Sequence, residues 1–126
     1  MQKSSKQVKA QQPDSQAVVT KAAVRAADQL GLTAKVLAKA IGVSEATVSR
    51  MRHGEYRLDG KPFELALLVI RLFRSLDAVT GGDKETAQRW IVNHNIAFGE
   101  APLARLQTVA GLVDVIAYLD ARRARI

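Results

Sequence analysis

The stretch Thr33-Ala34-Lys35-Val36-Leu37-Ala38-Lys39-Ala40-Ile41-Gly42-Val43-Ser44-Glu45-Ala46-Thr47-Val48-Ser49-Arg50-Met51 decides the fold. Thr33 and Ser44 each suit a helix N-cap, where a hydroxyl accepts from a backbone N–H that has no partner within the helix. Gly42 supplies the left-handed residue that stops the first helix and opens the turn. Ala38 must be small because the second helix crosses the first there. Val43 plugs the turn, and Val48 and Met51 lock the second helix onto a core through an i, i+3 pair, with Thr47 the other possible inward position. Those roles use up the inner face. Glu45, Ala46, Ser49 and Arg50 then point outward, together with the edge of Thr47. The spacing predicts a helix-turn-helix whose second helix fits the major groove.

The outward side chains suggest how a duplex would be read. Arg50 suits bidentate contact with guanine O6 and N7, Glu45 can accept from a cytosine N4 amine, and Ala46 can touch a thymine methyl. Thr33, Lys35 and Ser44 lie at helix N-termini, where N–H groups and the dipole favour phosphate. Arg52, His53 and Arg57 follow the second helix and are expected to grip phosphate. Operator DNA is therefore the expected partner of this half. The alternative is an αα-hairpin that has lost DNA affinity and serves as an adaptor.

Upstream, residues 1–14 are polar and carry Lys3, Lys6 and Lys9, with too little apolar content to bury, and are expected to form a mobile basic arm. From Ser15 the pattern changes: Ala17, Val18, Ala22, Val24, Ala26 and Leu30 recur near helical spacing, and Gly31 ends the helix. Downstream, Gly60-Lys61-Pro62 opens a helix that is apolar nearly all round from Phe63 to Val79. Glu64, Arg71, Arg74 and Ser75 leave it a narrow wet stripe. Such a helix is expected to be a spine between two halves or part of a dimer interface. Thr80-Gly81-Gly82-Asp83 reads as a hinge. Helices are expected over 83–94, 103–110 and 111–122, with a turn holding Asn95, Gly99 and Pro102. No run of alternating β-branched residues occurs, so the expected fold is all-α. The domain reading is an arm at 1–14, a helix-turn-helix domain with a long connecting helix at 15–80, and a small helical domain at 81–126.

Composition narrows the function. The 126 residues include 19 Lys+Arg, 12 Asp+Glu and no cysteine, and 48% are hydrophobic. That share suits an ordinary globular chain; the lack of cysteine excludes disulfides, a thiolate nucleophile and Cys-based zinc sites. The longest apolar run, Leu65 to Ile70, is far short of the ~20 residues that span a bilayer. With no apolar secretory core at its N-terminus, the chain is expected to be cytoplasmic and without a membrane partner. The net +7 is uneven. Residues 1–61 hold 11 basic and 5 acidic residues, residues 62–121 hold 5 and 7, and Arg122, Arg123 and Arg125 follow. An anionic partner suits the first half and a different one the second.

Two histidines, His53 and His94, fall in different halves; His94 is expected to end a helix, where an imidazolium suits the dipole. Asp83 and Glu85 fit a first helical turn. No Gly-rich phosphate loop, HExxH run or nucleophile elbow is present, which argues against an enzyme and against a cofactor or metal.

In the second half, the order Trp90, Asn95, Phe98, Gly99, Pro102, Leu103, Leu106, Gly111, Val115, Leu119 resembles the toxin-binding C-terminal domain of ParS/Xre-type antitoxins, and the first half resembles the Xre/Cro-type helix-turn-helix. That family joins the two in this order. The resemblance implies an antitoxin that neutralises a cognate RES-domain toxin, an enzyme that consumes NAD or uses it to modify a target. It further implies repression of the antitoxin's own operon, usually as a homodimer, and no catalysis by the antitoxin. Trp90 is expected in the core. Arg122, Arg123, Arg125 and Ile126 extend past the apolar pattern and are the candidate toxin-binding residues, a basic arm able to plug a nucleotide cleft. The alternative is a stand-alone repressor whose second half only dimerises.

Overall fold

The computed structural model describes residues 14–125. Seven helices make up most of the described backbone: α1 (Ser15–Leu30), α2 (Ala34–Ile41), α3 (Glu45–Arg52), α4 (Gly60–Val79), α5 (Lys84–Val92), α6 (Pro102–Arg105) and α7 (Val109–Arg125). No strand occurs among the described residues, only an isolated antiparallel bridge between Asn95 and Glu100. The fold is all-α. Residues 1–13 and Ile126, which hold most of the expected arm and one expected toxin-binding residue, lie outside the described residues.

Local chemistry sets the first three helices. Asp14, expected to belong to the arm, is instead the cap of α1, its carboxylate accepting from the Ala17 N–H. Thr33 accepts from the Val36 N–H and Ser44 from the Thr47 N–H, starting α2 and α3 as the sequence predicts. Gly31 and Gly42 stop α1 and α2 at φ 73° and 75°, where a side chain would be strained.

The long helix α4 is the spine. Its buried residues Leu65, Ala66, Val69, Leu72 and Leu76 pack against α1 and α2 on one side and α7 on the other. One hydrophobic cluster runs from Leu37, Ile41 and Val48 through Leu72 and Leu76 to Ile91, Leu112 and Leu119, so both halves share a core. Each fully buried leucine or isoleucine contributes roughly 1.5–3 kcal/mol of transfer free energy.

Three expectations from periodicity are corrected. The inward face of α1 is Thr20, Ala23, Ala26, Ala27 and Leu30, which keeps the expected Ala26 and Leu30, while Val18 turns outward and is 53% exposed. On α4, Ser75 is fully buried rather than wet, and Leu67 takes a place on the exposed stripe with Glu64, Arg71 and Arg74. Ser75 tolerates burial because its hydroxyl donates to the Asp120 carboxylate at 2.7 Å. Gly111 does not break a helix but lies inside α7, whose first turn is capped by the Thr108 hydroxyl accepting from the Gly111 N–H. A glycine is needed there because a Cβ would stand 2.0 Å from the Arg105 carbonyl oxygen at the end of α6. In addition, α5 ends at Val92 with Asn93 extended, so His94 stands beyond the helix and not at its dipole. Asp83 caps α5 as expected, accepting from the Glu85 N–H and the Thr86 hydroxyl.

The close approach at Gly111 generates a stability prediction. Gly111→Ala should destabilise the protein by about 3 kcal/mol, the upper end of the range for overpacking, because a backbone carbonyl is what must move. Urea unfolding monitored through Trp90 fluorescence measures it; a change below about 0.5 kcal/mol, the range of ordinary surface substitutions, contradicts the close approach.

Candidate functional site

The turn between α2 and α3 is closed by backbone bonds: the Gly42 and Val43 N–H groups both donate to the Ala38 carbonyl, at 2.9 and 3.0 Å. Val43 is half-buried beneath it, and Val48 and Met51 are buried on the inner face of α3. That leaves Glu45, Ala46, Ser49 and Arg50 exposed along one side of α3, as the spacing predicts. Thr33, Lys35 and Ser44 are exposed at the N-terminal ends of α2 and α3.

Of the two places the sequence allows it, Thr47 takes the inward one and not the edge of the exposed face. It is 7% exposed, and its hydroxyl accepts from both Ser44 Oγ and Arg50 Nη2, each at 3.0 Å. Thr47 therefore organises the face without reaching out of it. The Arg50 guanidinium also lies 5.8 Å from the centre of the Tyr56 ring, a cation–π contact that fixes its direction further.

Arg52, expected after the second helix, is the last residue of α3, and it and the basic residues that follow are tied into the fold. Arg52 pairs with Asp28 of α1 at 2.8 Å, and Arg57 pairs with Asp14. The His53 Nδ1 lies 2.8 Å from the Ser49 carbonyl oxygen. A carbonyl only accepts, so Nδ1 carries the proton in that contact and Nε2 is left for solvent. The segment behind α3 is anchored by the buried Thr20, whose hydroxyl donates to the Gln16 carbonyl and accepts from the Leu58 N–H at 2.9 Å. Thr20, Asp28 and Tyr56 do not stand out in the sequence; each acts through a partner distant along the chain or one turn beyond the motif.

In the second half, Trp90, Phe98 and Tyr118 form an aromatic trio with ring centres 5.1 to 6.3 Å apart. All three are half-buried, so Trp90 borders the core and does not lie within it. Arg105 lies over the Phe98 ring and pairs with Glu100 and Asp114. The turn at 95–100 is closed by the Asn95 N–H donating to the Glu100 carbonyl, with Gly99 at φ 71°. It presents Ile96, 93% exposed, from a rigid frame.

The C-terminal arginines, expected as an arm past the apolar pattern, continue the helix, because α7 runs to Arg125. Arg122 is exposed and donates to the Tyr118 hydroxyl while lying over its ring. Arg123 reaches back and donates to Ser75 Oγ at 3.3 Å. Asp120 joins this end of α7 to α4, accepting from Ser75 and from Arg71 Nη2 at 2.6 Å. The Ser75 hydroxyl, with the Arg71 guanidinium beside it, holds the Asp120 carboxyl below the ordinary carboxylate value.

Residues 9–71 match the family model described as the antitoxin Xre-like helix-turn-helix domain, half of the chain. Residues 75–125 match that of the antitoxin Xre/MbcA/ParS C-terminal toxin-binding domain. No match is found among curated proteins.

The Asp120 cluster sets a pH dependence. A carboxyl whose folded pKa is lowered contributes stability that is complete above its ordinary value of 3.8 and is lost as pH falls through the folded value. Asp120→Asn should thus lower Tm at pH 7, and the gap to the wild type should shrink below about pH 4. Thermal melts at a series of pH values test this; a gap that is constant down to pH 2 contradicts it.

Proposed function

Because this chain belongs to the antitoxins that join an Xre-like helix-turn-helix to an Xre/MbcA/ParS toxin-binding domain, we propose that it neutralises a RES-domain, NAD-consuming toxin by blocking its active site and represses its own operon. The observation that carries this reading is the pairing of the two domains in one chain, each with an exposed surface of suitable chemistry. Neither matched family is one of enzymes, and the chain acts by binding. No helix among the described residues is long and apolar enough to cross a membrane.

On the toxin side, the end of α7 is the blocking element. A cleft built for a nucleotide that carries an acidic catalytic group would accept Arg122, and a helix end filling it excludes substrate. Arg123 holds the base of that helix end against α4 through Ser75, which supports a rigid plug over a flexible tail. Arg125, the last residue of α7, and Ile126 are the further residues proposed to bind the toxin. The stand-alone repressor alternative leaves the toxin-binding match without a role.

On the DNA side, Arg50, Glu45, Ala46 and Ser49 read base edges, and Thr33, Lys35 and Ser44 meet phosphates. Thr47 is a positioning residue for Arg50. Arg52, His53 and Arg57 add positive charge near the duplex, with Arg52 and Arg57 partly neutralised by Asp28 and Asp14. A homodimer would present two such helices to a palindromic operator, and the exposed Val109 and Val113 on α7 offer an apolar seam for it.

Two outcomes follow for the full chain. Arg50→Ala should cost about 1–3 kcal/mol of operator affinity and relax specificity at one base pair; Thr47→Val should show part of that loss with an unchanged melting temperature. Electrophoretic shift at two salt concentrations measures both, and unchanged affinity in both variants contradicts the assigned face. Deleting residues 122–126 should weaken capture of the co-expressed toxin at least about tenfold, equivalent to 1.4 kcal/mol, and restore NAD consumption. Undiminished inhibition would remove the plug.

A further inference from the structure

The outward faces of α1 and α4 form an apolar groove that the core does not use. Val18 and Ala22 line it from α1, and Leu67 (44% exposed), Ile70 and Phe73 line it from α4. It runs as two adjoining hollows of about 330 and 540 Å³ that share Val18, Ala22, Ile70 and Arg74. From Val18 to Gln29 its wall follows three turns of α1, about 16 Å at 1.5 Å per residue.

The rim is cationic. Lys21 and Arg25 stand on one side, Arg71 and Arg74 on the other, and Arg123 at the α7 end. Arg71 is paired with Asp120. Among the described residues, no carboxylate lies within ion-pair distance of Lys21, Arg25 or Arg74. None of the groove's lining belongs to α3, so it is separate from the face assigned to DNA.

We propose that this groove docks an acidic amphipathic helix of a partner protein. The helix would set apolar side chains at i, i+3, i+4 and i+7 on the Val18–Ala22–Leu67–Ile70 floor and its carboxylates on the arginine and lysine rim. Charge selects this occupant over the others. Residues 1–13 of this chain carry Lys3, Lys6 and Lys9 and no carboxylate, so they share the sign of the rim. A second copy related by a two-fold axis would set the same cations against one another. Duplex DNA suits the rim but has no apolar face with which to cover the floor.

A fluorescein-labelled, helix-stapled 14-residue peptide tests this on the full chain, with leucines at i, i+3, i+4, i+7 and i+11 and glutamates elsewhere. Two controls accompany it, one with lysines replacing the glutamates and one scrambled so that no single face is apolar. Fluorescence anisotropy should show micromolar binding of the acidic helix and at least tenfold weaker binding of both controls. Leu67→Asp and Arg74→Glu, both at exposed positions, should each weaken it at least tenfold with unchanged melting temperature. Equal binding of the three peptides, or binding indifferent to both substitutions, overturns the proposal. So does a dimer in sedimentation that Leu67→Asp dissolves, which would make a second copy the occupant. A loss of DNA affinity in Arg74→Glu, without any binding of the acidic peptide, would assign the groove to duplex and equally end the proposal.

Discussion

The two-sided burial of α4 is the constraint on which the rest of the molecule depends. Its buried Leu65, Ala66, Val69, Leu72 and Leu76 pack against α1 and α2 in the first half and α7 in the second, so a single helix is interior wall to both halves. The polar fastening between α4 and α7 follows from this geometry. Ser75 falls on the buried side of α4, and burial of its hydroxyl is tolerable only because Asp120 accepts from it and Arg71 neutralises Asp120. The same cluster holds Arg123 and so sets the direction in which the end of α7 leaves the body.

The helix-turn-helix shows how a polar residue can serve a surface from beneath it. Thr47 is buried, yet its single oxygen accepts from Ser44 at the start of α3 and from Arg50 one turn later. With Tyr56 on its other side, Arg50 loses much of its rotamer freedom before any ligand arrives. Pre-orientation of that kind favours a planar, bidentate contact over a diffuse charge contact.

Much of the fold was legible because it is written in local chemistry. Thr33, Gly42 and Ser44 cap and turn the chain through bonds to residues within four positions, and those bonds are the same in the folded protein as in the pattern. The exposed face of α3 was legible by subtraction, once Val48 and Met51 were assigned inward. Ser75 reads as wet, and Thr47 as either inward or at the edge of the exposed face, because each is a polar side chain whose burial depends on a partner elsewhere, Asp120 in one case and Arg50 in the other. Val18 recurs at helical spacing and Leu67 lies in a helix that is apolar nearly all round, yet both are exposed, because periodicity counts apolar residues without saying which face meets a neighbour. Gly111 reads as a helix breaker by propensity, whereas the need for it comes from the Arg105 carbonyl pressed against α7. Thr20 gives no signal in the sequence for a similar reason: its partner, the Leu58 N–H, is remote along the chain.

A continuous core through both halves has a consequence for turnover. Opening either half exposes the apolar wall of the other, so local unfolding at one end spreads readily into global unfolding. A protease that engages the chain at either end would then eliminate both binding surfaces together. Any ligand that grips only the native form, at whichever end, protects the whole polypeptide from digestion by mass action. The lifetime of the protein in a cell would in that way report on the occupancy of both its surfaces at once.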